Sequence, residues 1–344
     1  MTDPQWENLK ATIAGRAPRG TSAGFIIDSP WLPNWYGRPI LDYFTSDDVW
    51  FEANLKAISD FPEATFFPGF WSEFGMCTEP SAFGARCSFP VNEFPFAHKI
   101  IRESSDIDSV EVPDPRKDGL LPLVLNRLKL NKGRIEAAGH RIRFAVARGP
   151  LNIASFLMGT TEFLTTMMLE PERADALVGK VTKFLKAWLD LQRETFPDID
   201  GIFLLDDIIG FMGEPEFRAI GLPRFKELFD ADVSVKFLHN DAPCAQSARL
   251  LPEMGVNLYN MGTDITLTEL QALTANKVTL LGNIPPRDVL ARGSPEEVTI
   301  ATTNLIDSLA DRSRFILSCG GGMPPGVGSE NIRALLDAAR LGGR

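Results

Sequence analysis

The chain has 344 residues, of which 44% are hydrophobic and 23% charged, and its formal net charge is −10. This length suits one α/β domain with a sizeable core, because single barrels of that class routinely exceed ~250 residues. Nucleic-acid binders usually carry basic patches, and no run of lysine and arginine occurs here, so the charge balance disfavours that function.

The first sixteen residues are polar and contain no apolar signal core. No stretch approaches the ~18 consecutive apolar residues of a membrane span. The four cysteines, Cys77, Cys87, Cys244 and Cys319, are too few for a disulfide-stapled secreted module. We therefore expect a cytoplasmic protein with reduced thiols, without membrane or nucleic-acid partners.

Short β-type runs alternate with longer stretches of helical periodicity, most clearly from residue 141 onward. The runs predicted as strands are 23–28, 141–147, 201–207, 233–239, 256–262, 277–283 and 314–320. The stretches predicted as helices are 174–196, 215–230, 245–254, 267–275, 294–311 and 329–340. This alternation indicates a parallel sheet.

The number of strand–helix units favours a closed (β/α)8 TIM barrel that forms a single domain over residues 1–344. An open doubly wound sheet is the alternative, but no G-x-G-x-x-G stands at a strand-to-helix turn. Residues 60–100 are rich in aromatic residues, glycine and proline. They are interpreted as short strands and loops, an irregular insertion that caps the barrel mouth.

Polar residues end the predicted strands, where the active sites of barrels lie. They are Asp28, Arg148, Asp206, Asp207, His239, Asp241, Asn260, Asn283 and Cys319. We expect these side chains to surround a reaction centre.

His239 and Asp241 are two positions apart on one strand, so their side chains point the same way. Together with Cys319 they could hold zinc and leave one position open for substrate. The alternative is a hydrogen-bonded core histidine and a small buried cysteine. The spacing alone does not decide between the two.

Asp206 and Asp207 are neighbours on a strand, so only one of them can face the barrel mouth. The carboxyl group at the mouth would act as a general acid or hold a substrate amine. The alternative role is a cap for the following turn.

Five segments resemble, in order and spacing, the blocks of the uroporphyrinogen decarboxylase superfamily. The segment 148–164, RGPLNIASFLMGTTEFL, resembles its G-P-x-x-x-A-S-x-x-x-G signature. The other blocks are 204–230, FLHND at 237–241, 280–298 and 318–340. The resemblance covers residues 140–342 well and implies a (β/α)8 barrel.

Two branches of that superfamily are relevant. Its decarboxylases carry an N-terminal arginine-rich segment that grips substrate carboxylates, and a histidine in the last strand block. Residues 24–37 lack that arginine pair, and the last block here contains Cys319. The corrinoid-dependent methyltransferases, which this sequence resembles more, bind zinc through an H-x-C…C pattern in which Asp241 replaces the middle cysteine.

The resemblance implies a methyltransferase that moves a methyl group between a corrinoid (cobalamin) carried by a partner protein and a small-molecule thiol or tetrahydrofolate. Zinc would be held by His239, Asp241 and Cys319, with Asp206 or Asp207 as the catalytic acid or a substrate contact. The segment 66–96 would face a flat corrin or pterin ring. Substrate contacts are expected from Asp28, Arg148, Asn260 and Asn283.

Two other functions stay open at this point. One is a metal-free decarboxylase or lyase of the same superfamily, and the other is a non-catalytic barrel that binds a small molecule. The oligomeric state is also open, with a homodimer among the alternatives.

Overall fold

The computed structural model describes residues 1–16, 20–27 and 30–342, and it centres on a sheet of eight parallel strands. The strands are β1 (Ala23–Ile26), β2 (Ala64–Phe67), β3 (Phe144–Arg148), β4 (Gly201–Leu205), β5 (Val235–Asn240), β6 (Leu258–Met261), β7 (Thr279–Ile284) and β8 (Phe315–Cys319). They lie in the order β2-β1-β8-β7-β6-β5-β4-β3. The predicted TIM-barrel fold is confirmed.

Helices connect the strands and form the outer layer. They are α1 (Asp3–Ile13), α2 (Leu32–Trp35), α3 (Ile40–Thr45), α4 (Asp47–Asp60), α5 (Leu121–Ala137), α6 (Pro150–Met158), α7 (Thr160–Leu169), α8 (Pro171–Thr195), α9 (Glu214–Glu216), α10 (Leu222–Phe229), α11 (Leu251–Met254), α12 (Leu267–Leu273), α13 (Pro295–Asp307) and α14 (Ser329–Gly342). Short 3-10 segments lie at Pro80–Phe83, Ser104–Ser109, Ile208–Phe211 and Ala248–Leu250, and π-helical turns at Phe217–Gly221 and Pro286–Ala291. None of the helices in the described part of the chain is long and apolar enough to cross a bilayer.

Local sequence signals explain where individual helices begin. Ser294 caps α13: its hydroxyl accepts from the N–H of Glu297 at 3.3 Å, and the Glu297 carboxylate accepts from the N–H of Ser294 at 2.8 Å. This reciprocal pair satisfies two N–H groups that have no partner inside the helix. Ser294 and Glu297 therefore form a capping box at the start of α13.

Each of the eight strands contributes inward-facing side chains to one apolar cluster inside the barrel. The contributors are Ile26, Phe67, Phe144, Phe203, Leu205, Val235, Phe237, Leu258, Leu281 and Ile316. Phe203 and Phe237 stack with their ring centroids 4.2 Å apart. No hydrogen-bonded ladder joins β2 to β3 among the described residues. The side chains of β2 and β3 contact each other instead, and the ring centroids of Phe67 and Phe144 are 6.3 Å apart. Side-chain packing therefore closes the barrel between these two strands.

The first helix covers the amino-terminal end of the barrel. Trp6 of α1 packs edge-on against Phe144 with a centroid distance of 5.2 Å. Its indole N–H donates to Asp200, the residue before β4, at 3.1 Å. Because this end is filled, the opposite end is where a reactant can approach the inward-facing polar groups.

The interval 60–100 differs in one respect from the predicted insertion. Ala64–Phe67 is the barrel strand β2, because the run ATFF pairs with β1 in parallel register. Only the residues after β2 are irregular, and they include an antiparallel pair of Cys87–Ser88 with Phe96–Ala97. A capping role for this part stays a prediction.

Candidate metal and active site

One row of register partners crosses the barrel wall near its carboxyl-terminal end. Arg148 pairs with Leu205, Leu205 with His239, His239 with Asn260, and Asn260 with Leu281. Leu205 and Leu281 belong to the interior cluster, which shows that this row faces inward. The sheet register therefore brings Arg148, His239 and Asn260 to one level of the mouth.

The His239 ring is oriented by its neighbour on β6. Nδ1 of His239 lies 2.7 Å from Oδ1 of Asn260. The Asn260 amide nitrogen donates to the carbonyl of Leu281 at 2.7 Å, so Oδ1 of Asn260 is the acceptor and Nδ1 of His239 carries the proton. Nε2 of His239 is then the nitrogen that faces the mouth, 3.6 Å from Oδ2 of Asp241.

Three side chains converge at this point. Asp207, His239 and Asp241 each offer a ligand atom, and these atoms lie within 4.8 Å of one another. Oδ1 of Asp207 accepts from the N–H of Asp241 at 2.7 Å, which fixes the loop after β5 against the loop after β4. The side chain of His239 is 8% exposed and that of Asp241 55% exposed, so the cluster is open on one side.

The cluster carries excess negative charge. Burial lowers the pKa of His239, but Asp241, Asp207 and the bond to Asn260 outweigh it and leave the pKa raised. Partial burial raises the pKa of Asp241, and Asp207 adds to the rise, while His239 and Arg287 oppose it. A bound cation would relieve the repulsion between the two carboxylates.

The donor set fits a divalent metal. Two carboxylates and the unprotonated nitrogen of a histidine are ligands for zinc and for other first-row divalent ions. The second ring nitrogen is engaged by Asn260, as is usual for metal-binding histidines. The cluster contains no thiolate, so it is harder than the donor set predicted from the sequence.

The structure does not bring Cys319, which the sequence predicts as a metal ligand, into this cluster. Side chains alternate along β8: Ile316 belongs to the interior cluster, whereas Leu317 and Cys319 belong to the outer core. Sγ of Cys319 is buried and lies 3.6 Å from the carbonyl of Gly321. The third donor comes instead from Asp207.

Gly321 is the residue after β8 that lies against the cluster. Its φ is +75°, and a Cβ added there would overlap Oδ1 of Asp241. The turn after β8 therefore approaches the donors through its backbone and supplies no side chain at this point.

Asp206 and Asp207 are neighbours in the chain, so their side chains point to opposite sides and make different contacts. The carboxylate of Asp206 is fully buried and accepts from the N–H groups of Leu151 at 2.9 Å, Asn152 at 3.2 Å and Ile208 at 3.2 Å. Burial raises the pKa of Asp206 to about 8, although these N–H groups favour the charged form. Of the two predicted catalytic residues, Asp206 caps α6 and Asp207 faces the mouth.

Arg148 is held by two buried glutamates that the sequence analysis missed. Its guanidinium lies 3.0 Å from Oε2 of Glu73 and 3.7 Å from Oε2 of Glu79. Burial raises the pKa of Glu79, and Arg148 opposes that shift. Both glutamates come from the irregular segment after β2. Nothing in that aromatic-rich sequence indicates that they are buried.

The remaining residues that were predicted to contact substrate are Asn260, Asn283 and Asp28. Asn260 was predicted to bind substrate, but it is fully buried and both of its amide atoms are used inside the protein. The amide nitrogen of Asn283 donates to the carbonyls of Gly262 and Ile265 at 3.1 and 3.0 Å, so it tethers the loop after β6. Asp28 lies outside the described residues.

A cleft opens beside the cluster. It has a volume of about 380 Å³ and shares Asp241 with the donor set. Its lining also includes Thr263, Arg287, the glycines at 320 and 322, Met323 and several prolines. Arg287 was not identified from the sequence, since it stands past the predicted strand end in a proline-flanked π-helical turn.

Comparison with known proteins identifies the family of the chain. The sequence profile of the family Uroporphyrinogen decarboxylase (URO-D) matches residues 36–341. A uroporphyrinogen decarboxylase from Chlorobium limicola is 26% identical over 252 residues, 69% of each chain. A methylated-thiol–coenzyme M methyltransferase from Methanosarcina mazei is 24% identical over 239 residues, 68% of this chain and 62% of that protein.

A solved structure described as a methyltransferase from Methanosarcina mazei superposes with a TM-score of 0.80 at 17% identity, over 96% of this chain and 97% of the other. At that identity the likeness supports the fold. The sequence relatives include both decarboxylases and a methyltransferase.

Proposed function

Since the chain belongs to the uroporphyrinogen decarboxylase family, we propose that it is a metal-assisted methyltransferase of that family. The observation that carries the proposal is the convergence of Asp207, His239 and Asp241 at the open end of the barrel. The methyl donor is a corrinoid carried by a partner protein, and the acceptor is a thiol or tetrahydrofolate. A methyltransferase among the sequence relatives supports this choice.

A divalent metal at the cluster would act as a Lewis acid and lower the pKa of the acceptor's S–H or N–H group. Asn260 fixes the tautomer of His239 so that Nε2 is free to bind. Asp207 and Asp241 supply two negative charges, which balance a divalent cation. The exposed side of Asp241 faces the cleft, where the acceptor binds next to the donors.

Arg287 and Arg148 have different tasks in this proposal. Arg287 is exposed and lines the cleft, so it attracts an anionic group on the acceptor. Arg148 is buried and paired with Glu73 and Glu79, so it holds the segment after β2 against the mouth. That segment then forms the wall that a flat corrin or pterin ring would contact.

One observation favours a second function, a metal-free decarboxylase. Without a metal, His239 with its raised pKa lies between two carboxylates and could deliver a proton to a substrate carbon. The decarboxylases among the relatives agree with this alternative. It predicts that metal has no effect on turnover.

The test begins with the metal content of the purified wild type and of His239→Ala, Asp207→Ala and Cys319→Ser. We expect about one divalent ion per chain in the wild type and in Cys319→Ser, and loss of the ion in the other two. The protein reconstituted with Co²⁺ should show no thiolate-to-cobalt absorption in the near ultraviolet. Methyl transfer from methylcobalamin to thiols and to tetrahydrofolate is then assayed with and without metal.

Two results would contradict the proposal. If the wild type binds no divalent ion after reconstitution, the three donors do not form a metal site. If metal binds but changes no methyl-transfer rate, while decarboxylation of a carboxylated substrate proceeds at the same rate in metal-free protein, the second function is correct.

A further inference from the structure

Two cysteines that are ten positions apart meet in the irregular segment after β2. The thiols of Cys77 and Cys87 are close enough for each to shift the pKa of the other. Sγ of Cys87 also lies 4.0 Å from the carbonyl of Cys77 and 3.7 Å from that of Ala85. Both cysteines are free thiols. The sequence shows no C-x-x-C motif here, so only the fold brings them together.

The two thiols differ in exposure and in the direction of their pKa shifts. Cys77 is fully buried, whereas Cys87 is partly exposed at the start of the short antiparallel pair. The hydrogen bond from the Cys77 thiol lowers the pKa of Cys87, and burial opposes that shift. The same bond raises the pKa of Cys77, and burial adds to the rise. An accessible thiol of lowered pKa beside a second thiol is the usual arrangement of a redox-sensitive pair.

The position of the pair connects it to the barrel mouth. Cys77 lies in the chain between Glu73 and Glu79, the two residues that hold Arg148. The backbone N–H of Arg148 also donates to Oε1 of Glu79 at 3.3 Å. A bond between Cys77 and Cys87 would therefore close a loop within the segment that packs against the inward-facing end of β3.

We propose that Cys77 and Cys87 form a reversible disulfide under oxidising conditions. Glutathione disulfide is the oxidant: the Cys87 thiolate attacks one of its sulfurs and releases one glutathione thiolate. The Cys77 thiol, on losing its proton, then attacks the mixed disulfide at Cys87 and releases the second glutathione. Two protein thiols are oxidised by two electrons, and one glutathione disulfide is reduced to two glutathiones.

The other two cysteines provide internal controls. Cys244 and Cys319 are buried, and among the described residues neither is part of a disulfide. The thiol of Cys244 contacts the hydroxyl of Tyr259 instead. Cys244→Ser should therefore leave disulfide formation unchanged.

The experiment equilibrates the full-length protein with mixtures of glutathione and glutathione disulfide, followed by acid quenching and intact-mass and peptide analysis. We expect the wild type to lose the mass of two hydrogens and to yield a linked pair of peptides containing Cys77 and Cys87. Dithiothreitol should reverse the change. The linkage should be absent in Cys77→Ser and Cys87→Ser and present in Cys244→Ser.

A second readout does not depend on any variant. Hydrogen exchange of the peptides over residues 74–88 should slow in the oxidised wild type, because the disulfide closes their loop. The proposal is overturned if glutathione remains attached to Cys87 without a Cys77 linkage, if the linkage joins other cysteines, or if all four thiols persist at high glutathione disulfide.

Discussion

Asp206 and Asp207 are adjacent in the chain, yet their carboxylates lie on opposite sides of the barrel wall. Asp206 faces outward and caps α6, while Asp207 faces the mouth and contacts the N–H of Asp241. Gly149 makes the first arrangement possible, because a Cβ at that position would overlap the Asp206 carboxylate. Asp206 therefore stabilises the fold, whereas its neighbour Asp207 belongs to the candidate metal cluster.

This division predicts opposite effects for the two alanine variants. Asp206→Ala leaves three backbone N–H groups without their acceptor, and we expect it to lower the free energy of unfolding by about 3 kcal/mol. Asp207→Ala should lower it by less than about 1 kcal/mol but abolish metal binding. Urea unfolding and metal content measure the two effects. Equal stability losses in both variants would contradict the division.

Asn260 is expected to control metal affinity without touching the metal. Asn260→Ala removes the acceptor that fixes Nδ1 of His239, and loss of such a partner typically costs about 10–100-fold in metal affinity. Competition with a chromophoric chelator gives the affinity. Asn283→Ala serves as the control, since Asn283 is a buried amide on the next strand that binds the loop after β6 instead of His239. If both variants bind metal equally well, Asn260 does not have this role.

Gly321→Ala tests how closely the turn after β8 approaches the donors. The added methyl group would displace the Asp241 carboxylate, so we expect at least a tenfold loss of activity and of metal affinity. Strain from the positive φ would contribute about 1 kcal/mol of destabilisation. Gly326→Ala is the matched control, because Gly326 has φ +89° but no atom within 4 Å of an added Cβ. Equal losses in the two variants would mean that strain, and not contact with Asp241, explains the effect.

His140 is expected to make the protein acid-sensitive. Burial, with the nearby positive charge of the Met1 amino group, lowers the pKa of His140 from 6.5 to about 4. The unfolded chain therefore takes up a proton between these values that the folded chain refuses. This contribution to stability is fully present above pH 6.5 and is lost as the pH falls towards about 4.

The variant His140→Gln should have a shallower decline of stability over that pH interval than the wild type. Denaturant unfolding at half-unit pH steps measures the two curves. Parallel curves for the variant and the wild type would show that another group causes the acid loss.

Much of the barrel could be predicted because strand periodicity and strand ends are local properties of the sequence. The predicted strand 233–239 correctly placed His239 at the mouth, and the period of two correctly separated Asp206 from Asp207. The same alternation of side chains, applied to residues 314–320, would have placed Cys319 and Ile316 on opposite faces of the strand. The resemblance to thiolate-binding relatives had indicated Cys319 as a ligand, whereas the structure places its side chain in the outer core.

The remaining features depend on contacts between distant parts of the chain. Glu73 and Glu79 lie about seventy positions before Arg148, in a segment whose composition does not indicate a buried ion cluster. Asn260 was identified as a residue at a strand end, but only the register between β5 and β6 places it beside His239. The sequence therefore predicts which polar residues lie at the strand ends. The role of each residue depends on the partners that the fold brings next to it.

The filled interior has a consequence for the order of events in turnover. Among the described residues, the aromatic layer of Phe67, Phe144, Phe203 and Phe237, with Trp6 beneath it, fills the barrel axis. Under the proposed function, a methyl-carrying protein and a small acceptor would therefore reach the cluster through the same opening. The acceptor would have to bind before the carrier covers the opening, and the methylated product would leave only after the carrier has withdrawn.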